Sequence, residues 1–129
     1  MDVLMNNSML MLQKSMDYVW QKQRVISENI ANVDTPGYKA KFVVFEDELR
    51  RKLEGADISF SRKESVKEAI RSSVPILRDT PNETMRLDGN NVNIDAENVE
   101  LARAQLNYDF LSRQINDQFM RLRTIITSR

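Results

Sequence analysis

Apolar residues recur in alternating steps of three and four at both ends of the chain, and this periodicity is the strongest constraint on its fold. The spacing places them on one stripe of an α-helix and is typical of a coiled-coil seam. Each seam includes one glutamine, which either fixes the register of a partner helix or interrupts the seam. The N-terminal seam consists of Met5, Met9, Leu12, Met16, Val19, Gln23, Ile26, Ile30 and Val33. The C-terminal seam consists of Leu101, Ala104, Tyr108, Leu111, Ile115, Gln118, Leu122 and Ile125.

The two periodic ends enclose a less regular middle. We predict a mainly α fold of one domain, in which two long terminal helices pair as a coiled-coil-like antiparallel hairpin. Residues 1–34 form the first helix and residues 95–129 the second, with Asp95 as the N-cap of the second. Residues 35–94 form a turn and a small, partly mobile insert of irregular and β structure between them.

The insert has only short local signals. Alternating apolar residues between Tyr38 and Val44 predict a short strand. The charged segment from Glu46 to Leu53 favours one or two helical turns that end at Gly55. Ile58 and Phe60 form another alternating pair, and the segment after them predicts loops and strand edges rather than regular structure.

Both terminal segments carry apolar residues that lie beside the seams. A single pair of helices cannot cover all of them, so we predict helices that are loosely packed in the monomer and become ordered against other copies. Periodicity alone leaves open the alternative of an ordinary two-helix core covered by the insert. The residues beside the seams are Met11, Trp20, Leu106, Phe110, Phe119 and Ile126.

Composition argues against several classes of function. The chain has no histidine and no cysteine, so it lacks the usual general base, the usual zinc ligand and any disulfide. Its 19 basic and 19 acidic residues leave no basic face of the kind that binds nucleic acid. We therefore predict that the protein is not an enzyme, needs no cofactor or metal, and binds neither nucleic acid nor a small-molecule substrate.

The N-terminus does not predict a cleaved signal peptide. Met1–Leu4 has no basic start, and the polar Asn6–Ser8 interrupts the apolar run. No segment reaches the length of a transmembrane helix, so we expect a protein that is not membrane-inserted. Such a chain is cytoplasmic unless an export route that needs no cleaved signal carries it elsewhere.

A proline–glycine turn follows the first helix. Thr35 precedes proline and is therefore disfavoured in the α region, which predicts that the helix ends near Asp34. Pro36 and Gly37 are the pattern of a type II turn, in which the glycine adopts a positive φ. Asn29 and Asn32 lie on one helix face just before the turn, and we predict that their amides bond to neighbouring backbone.

This segment resembles the N-terminal signature of the flagellar rod, hook and hook–filament junction proteins. A second segment, Gly89–Asp95, resembles the family pattern G-N-x-V-D-x-D, with Asn93 in place of the usual aspartate. The short length is similar to that of the proximal-rod members, because distal-rod and hook proteins are much longer. The residues that match the N-terminal signature are Asn29, Ile30, Ala31, Asn32, Thr35, Pro36, Gly37 and Tyr38.

The resemblance implies a structural subunit of the periplasmic rod of the flagellar basal body. It implies export by the flagellar type III apparatus without a cleaved signal, and contacts with other rod subunits, the rod-base adaptor and the MS ring. Two alternatives remain from the sequence. One is another small proximal-rod type, and the other is a cytoplasmic helical adaptor or chaperone that holds a client on the same seams.

Overall fold

The computed structural model describes residues 6–55, 62–81 and 86–128, and within them the chain is mainly helical. This confirms the predicted fold class of two long terminal helices with a small insert between them that contains β structure, here a two-stranded antiparallel sheet. In chain order the elements are α1 (Asn7–Ala31), β1 (Lys41–Val44), α2 (Glu46–Glu54), α3 (Arg62–Ser72), β2 (Ile76–Asp79) and α4 (Ile94–Thr127).

Helices α1 and α4 pack side by side in opposite directions. The Lys22 ammonium donates to Glu100 Oε2 at 2.8 Å, and Asn29 Nδ2 donates to Glu97 Oε2 at 3.2 Å. These contacts place the end of α1 beside the start of α4. Ala104 is almost fully buried, and its small side chain allows a close approach of the two helices.

The residues of the two predicted seams are only partly covered in the single chain. Val19, Ile26 and Ala104 are buried, whereas Ile125 is 70% exposed. The exposure of Ile125 follows from helix length, since α4 has 34 residues and α1 has 25, so the last turns of α4 lie beyond Asn7. Met5 lies outside the described residues. The half-buried seam members are Met9, Leu12, Met16, Gln23, Ile30, Val33, Leu101, Tyr108, Leu111, Ile115, Gln118 and Leu122.

The insert shares a core with α1. Strands β1 and β2 pair antiparallel, with Lys41 opposite Asp79 and Val44 opposite Ile76. The ring of Phe45, which follows β1, stacks on Tyr18 of α1 at 5.6 Å between centroids. The remaining buried apolar residues of the insert and of the α1 face beneath it are Leu10, Val25, Ala40, Val43, Ala69, Ile70 and Val92.

The helix α3 was not anticipated from the sequence. Its apolar positions are few, and it contacts both α2 and the distant α1. Lys52 Nζ of α2 donates to Ser72 O, Asn7 Nδ2 of α1 donates to Lys63 O at 3.3 Å, and Lys14 Nζ of α1 donates at 3.0 Å to Ser73 O just after α3. The predicted strand and the predicted charged helix correspond to β1 and α2, and Gly55 is the C-cap of α2. The pair Ile58 and Phe60 lies outside the described residues.

Two predicted helix ends are displaced. Helix α1 ends at Ala31 with Asn32 as its C-cap, three residues before the predicted Asp34. The prediction of Asp95 as N-cap of α4 is wrong, because the cap is Asn93, whose side-chain oxygen accepts from the backbone N–H of Asp95 and Ala96 at 3.1 Å. Asp95 instead lies in the first turn of α4, where its negative charge interacts favourably with the helix dipole.

None of the helices in the described ranges combines the length and the apolar character that crossing a membrane requires.

Candidate assembly site

The predicted type II turn is present at the end of the N-terminal motif. Tyr38 N–H donates to Thr35 O at 3.3 Å, and Gly37 has φ +70°. A side chain at Gly37 would meet no atom within 4 Å, so the glycine is required by its backbone conformation rather than by space.

A second glycine turn packs directly against the first. Gly89 N–H donates to Arg86 O at 3.1 Å, and Gly89 has φ +77°. A Cβ on Gly89 would lie 3.6 Å from the Cα of Gly37, and Gly37 N–H donates to Asp88 O at 2.8 Å. We call residues 35–38 and 86–89 the paired turns. They bring the two sequence motifs together, although the two glycines are 52 positions apart in the sequence.

Asn90 connects the paired turns to the end of α1. Its side chain is fully buried, and its Nδ2 donates to Asn32 O at 2.9 Å and to Thr35 O at 2.8 Å. Its Oδ1 accepts from Val92 N–H at 2.8 Å. The Asn90 side chain therefore bonds to the carbonyl of Asn32 at the end of α1, to the carbonyl of Thr35 at the start of the turn, and to the backbone N–H of Val92. These bonds fix the relative positions of the three segments.

The buried side chain of Asn29 connects α1 to β1 in a similar way. Its Nδ2 donates to Lys41 O at 2.8 Å, and its Oδ1 accepts from Lys41 N–H at 2.9 Å. Because Thr80 N–H donates to Ala40 O, the peptide groups of Lys41 face the edge of β1 away from β2. The Asn29 carboxamide thus forms with this edge of β1 the two hydrogen bonds that the backbone of a neighbouring strand would form. This confirms the prediction that Asn29 bonds to nearby backbone.

Further bonds saturate the Asn29 amide. Its Oδ1 also accepts from the Tyr38 hydroxyl at 3.2 Å, and its Nδ2 also donates to the Glu97 carboxylate. With both amide hydrogens and both acceptor positions used, the side chain is 1% exposed without an unpaired polar atom. Asn29 therefore joins α1, β1 and α4. Asn32, by contrast, donates to Glu28 O of its own helix at 2.8 Å.

The carboxylates at the start of α4 differ in their environments. Burial raises the pKa of Glu97, and the hydrogen bond from Asn29 partly opposes that shift. The hydrogen bond from Lys22 lowers the pKa of Glu100. Burial, and then the negative charge of Glu28, raises the pKa of Tyr38.

Among the described residues, no group of three or more acidic side chains is arranged to hold a metal ion.

The eight motif residues divide into an inner and an outer set. Asn29 is buried, and Ile30, Asn32 and Tyr38 are half-buried against the rest of the chain. Ala31 is exposed, as are Thr35, Pro36 and Gly37 of the turn. The inner set positions the insert on the helix pair, and the outer set faces solvent. Their role in assembly remains a prediction.

Sequence reasoning missed the contacts between the two motifs. Ala40 N–H donates to Asn91 Oδ1 at 2.6 Å, and Arg86 donates to Val33 O at 2.6 Å. The neighbouring asparagines Asn90 and Asn91 were the available signal, because asparagine pairs in loops commonly bond to backbone. Nothing local in the sequence indicates that their partners lie near Val33 and Ala40.

The outward side of α4 carries a second apolar stripe. Val99, Leu106 and Phe110 recur in steps of seven and four and lie opposite Ala104. Leu106 is 70% exposed and Phe110 is 61% exposed. We call these three residues the outer stripe. Trp20 of α1 is also exposed, with the Arg24 guanidinium 5.9 Å from its ring centroid. Apolar stripes of this kind mark surfaces that other proteins cover.

The paired helices, the rigid turns and the outer stripe are features of a structural protein that presents surfaces to neighbours. Residues 20–39, which span the end of α1 and the first turn, match the family model described as flagella basal body rod protein. The chain belongs to the flagellar basal body rod protein family, as its relatives establish, and the family predicted from the Asn29–Tyr38 motif is thereby confirmed.

The relatives carry the name flagellar basal body rod protein FlgB. The protein of Bacillus subtilis (strain 168) is 38% identical over 109 residues, which cover 82% of each chain. The protein of Salmonella typhimurium is 31% identical over 105 residues, covering 74% of this chain and 75% of its own. The protein of Escherichia coli (strain K12) is 27% identical over 124 residues, covering 90% of each. These similarities favour the FlgB type over FlgC, the other small proximal-rod type.

Proposed function

We propose that this chain is a non-enzymatic structural subunit of the proximal rod of the flagellar basal body, and that it assembles by packing the outer stripe of α4 against helices of neighbouring subunits. The observation that carries the proposal is the exposure of Leu106 and Phe110 on the side of α4 that α1 does not cover. Burying each such side chain contributes roughly 1.5–3 kcal/mol.

Charges beside the outer stripe support selective packing. Arg103 donates to Glu100 at 3.0 Å on one flank, and Asp109 and Arg113 lie farther along the exposed surface of the helix. Mixed charges around an apolar stripe favour one register of a partner helix over others. Packing along a helix of about 50 Å gives a long contact of the kind that a torque-transmitting tube requires.

Incomplete burial of the seams supports export of an unfolded chain. Only three of the described seam residues are buried in the single chain, so most seam side chains keep part of their apolar surface exposed. We propose that the flagellar type III apparatus exports the chain without a cleaved signal peptide, and that it then joins rod subunits, the rod-base adaptor and the MS ring in the periplasm. In the isolated monomer, amide exchange of residues 118–127 should be much faster than exchange around Asn29.

The motif residues have a separate role in this proposal. The inner residues position the insert, and the turn at Pro36 and Gly37 sets where the chain leaves the helix pair. Combining Pro36→Ala with Gly37→Val should reduce rod assembly more than it reduces the cellular level of the protein. Normal motility of this double variant would contradict the assigned role.

Packing by the outer stripe can be tested with Leu106→Glu combined with Phe110→Glu. We expect the variant protein to be absent from sedimented basal bodies and the cells to be non-motile, because charge at the stripe prevents burial against a neighbour. The matched control is Asn116→Glu, which adds a charge at another exposed position of α4 and should assemble normally. Normal incorporation of the double variant would refute packing by the outer stripe. A wild-type chain that stays soluble and bound to a client would instead support the adaptor alternative.

A further inference from the structure

The second of the paired turns contains a peptide bond that is chemically reactive in flexible chains. Asp88 is the only aspartate or asparagine of the sequence that is followed by glycine. Because glycine has no side chain, its amide nitrogen approaches the carboxyl group of a preceding aspartate with the least steric hindrance. Attack of that nitrogen on the carboxyl carbon is the first step by which aspartate converts to isoaspartate. The bond between Asp88 and Gly89 is therefore the position where this conversion is easiest.

The folded chain holds the nitrogen that would attack. The peptide group between Asp88 and Gly89 is bonded on both sides, since its N–H donates to Arg86 O at 3.1 Å and its C=O accepts from Gly37 N–H at 2.8 Å. To bring the nitrogen to the carboxyl carbon of Asp88, this peptide group must rotate, and the rotation breaks both bonds. The bond from Gly37 forms only when the paired turns have come together.

The carboxyl group that would be attacked is held as well. Its Oδ1 accepts from Asn90 N–H at 3.1 Å, and its Oδ2 lies 3.3 Å from the Arg86 guanidinium. Lys39 Nζ donates to Gly89 O and restrains the next peptide group. The neighbouring Leu87 is fully exposed, so water reaches this turn. Hydrogen bonds, and not the exclusion of water, thus restrain both reacting groups, and reaction requires local opening of the turn.

We propose that Asp88 is a modification site that is reactive in the unfolded chain and protected once the paired turns have formed. In the unfolded chain, the Gly89 nitrogen bonds to Asp88 Cγ, and the hydroxyl of the carboxylic acid leaves with the amide proton as water. The product is a five-membered succinimide ring. Water then cleaves one of the two bonds between the ring nitrogen and a carbonyl carbon. Cleavage at the former main-chain carbonyl gives isoaspartate, in which the main chain runs through Cβ and Cγ.

The reaction loses one water and takes up one water, so it needs no oxidant, reductant or cofactor. Its product prevents the paired turns from closing in the same way, because the main chain between the Asp88 Cα and Gly89 becomes one carbon longer. The carbonyl that accepts from Gly37 and the N–H that donates to Arg86 are then displaced. Folding and modification therefore compete for the same peptide bond. This inference does not depend on packing of the outer stripe.

The test compares the full chain in its folded and unfolded states. One sample is kept in buffer at pH 7 and the other in guanidinium chloride at the same pH and temperature, with circular dichroism to verify each state. Trypsin then releases the peptide Leu87–Arg103, which contains Asp95 as an internal reference. Electron-transfer fragmentation distinguishes isoaspartate from aspartate at each position.

We expect isoaspartate at Asp88 to form about tenfold faster, or more, in the unfolded sample than in the folded one. Asp95, which alanine follows, should react more slowly than Asp88 in the unfolded sample. Equal rates at Asp88 in the two states, or no isoaspartate at Asp88 in the unfolded sample, would overturn the proposal. Gly89→Ala should slow the reaction of the unfolded chain several-fold, and an unchanged rate would contradict attack by this nitrogen.

Two glycine variants separate protection by the paired turns from protection by folding in general. Gly37→Ala strains the first turn at φ +70° and weakens its bond to Asp88, so the folded variant should react several-fold faster than the folded wild type. Gly55→Ala lies outside the paired turns and should leave the rate unchanged. If Gly37→Ala does not fold, Lys39→Met, which removes the donor to Gly89 O, takes its place with the same expectation. A wild-type rate in the folded variant would overturn the protective role of the paired turns.

Discussion

The two ends of the helix pair are built in different ways. Around the paired turns, buried amides of Asn29 and Asn90 use hydrogen bonds to fix three elements in one arrangement. At the far end, α4 continues beyond Asn7 with large apolar side chains exposed. Directional bonds define geometry, whereas exposed apolar area gives a driving force for association that has no preferred direction. The chain thus combines a hydrogen-bonded end with an end whose large apolar side chains are exposed.

Removing the Asn29 amide should destabilise the hydrogen-bonded end most and should give the largest loss in the free energy of unfolding. Asn29→Ala leaves the N–H and C=O of Lys41 and the Tyr38 hydroxyl without their partner. Because an unsatisfied buried polar group costs about 1–3 kcal/mol, we expect the free energy of unfolding to fall by about 2–4 kcal/mol, measured by urea denaturation. Asn32→Ala is the control and should cost less than about 1 kcal/mol, since its amide donates within its own helix. Equal effects of the two substitutions would contradict the assigned role of Asn29.

Substituting the first turn glycine should have the next largest effect. Gly37→Ala forces an L-residue into the left-handed region at φ +70°, which costs about 1–2 kcal/mol in thermal or urea unfolding. Gly55→Ala is the matched control, because Gly55 has φ −83° and should tolerate the change within about 0.5 kcal/mol. If both substitutions are neutral, the stability of the hydrogen-bonded end does not depend on the turn conformation.

The ion pair between Lys22 and Glu100, at the start of α4, should contribute less to the free energy of unfolding than the Asn29 amide or the Gly37 turn. Glu100→Gln removes the partner of Lys22, and we expect a loss of about 0.2–1 kcal/mol at pH 7 and low salt. The folded chain lowers the pKa of Glu100, so its contribution is present above the ordinary value of 4.5 and is lost as the pH falls through the lowered pKa. The difference between wild type and variant should therefore vanish in strong acid, and a difference that persists there would rule out the ion pair as its source.

Substituting Glu97 should give the smallest change in the free energy of unfolding, and at pH 7 that change should be a gain rather than a loss. Its pKa is raised by burial, so the folded chain binds the proton more tightly than the unfolded chain, and stability falls as the pH rises through 4.5 towards the raised pKa. Glu97→Gln keeps an acceptor for Asn29 and should stabilise the chain at pH 7 by no more than about 1 kcal/mol. No gain is expected in strong acid. A loss of stability at pH 7 would show that the charge of Glu97 is needed at this site.

Local patterns predicted much of the fold and part of the site. The steps of three and four predicted α1 and α4, because the helical period is set by the backbone itself. The pair Pro36 and Gly37 predicted a type II turn, because both residues restrict or permit particular φ values without help from the rest of the chain. The exposed side chains of Trp20, Leu106 and Phe110 agree with their positions beside the seams.

Long-range contacts account for what was missed. The contact between Gly37 and Gly89, the bonds of Asn90 to Asn32 and Thr35, and the packing of α3 on α1 all join residues distant in sequence. The N-cap was placed at Asp95 instead of Asn93 because both residue types cap helices, and the choice depends on the path of the chain leaving the paired turns.

By itself, the sequence determined that this protein has two amphipathic terminal helices, a proline–glycine turn between helix and insert, and the motif of its family, since each depends on residues close together in the chain. Only the tertiary structure decided that two separate turns form one surface, that Asn29 and Asn90 are buried, and that α4 extends beyond α1. The physical reason is that hydrogen-bond partners and burial depend on which distant segments meet, and local backbone preference does not encode that choice.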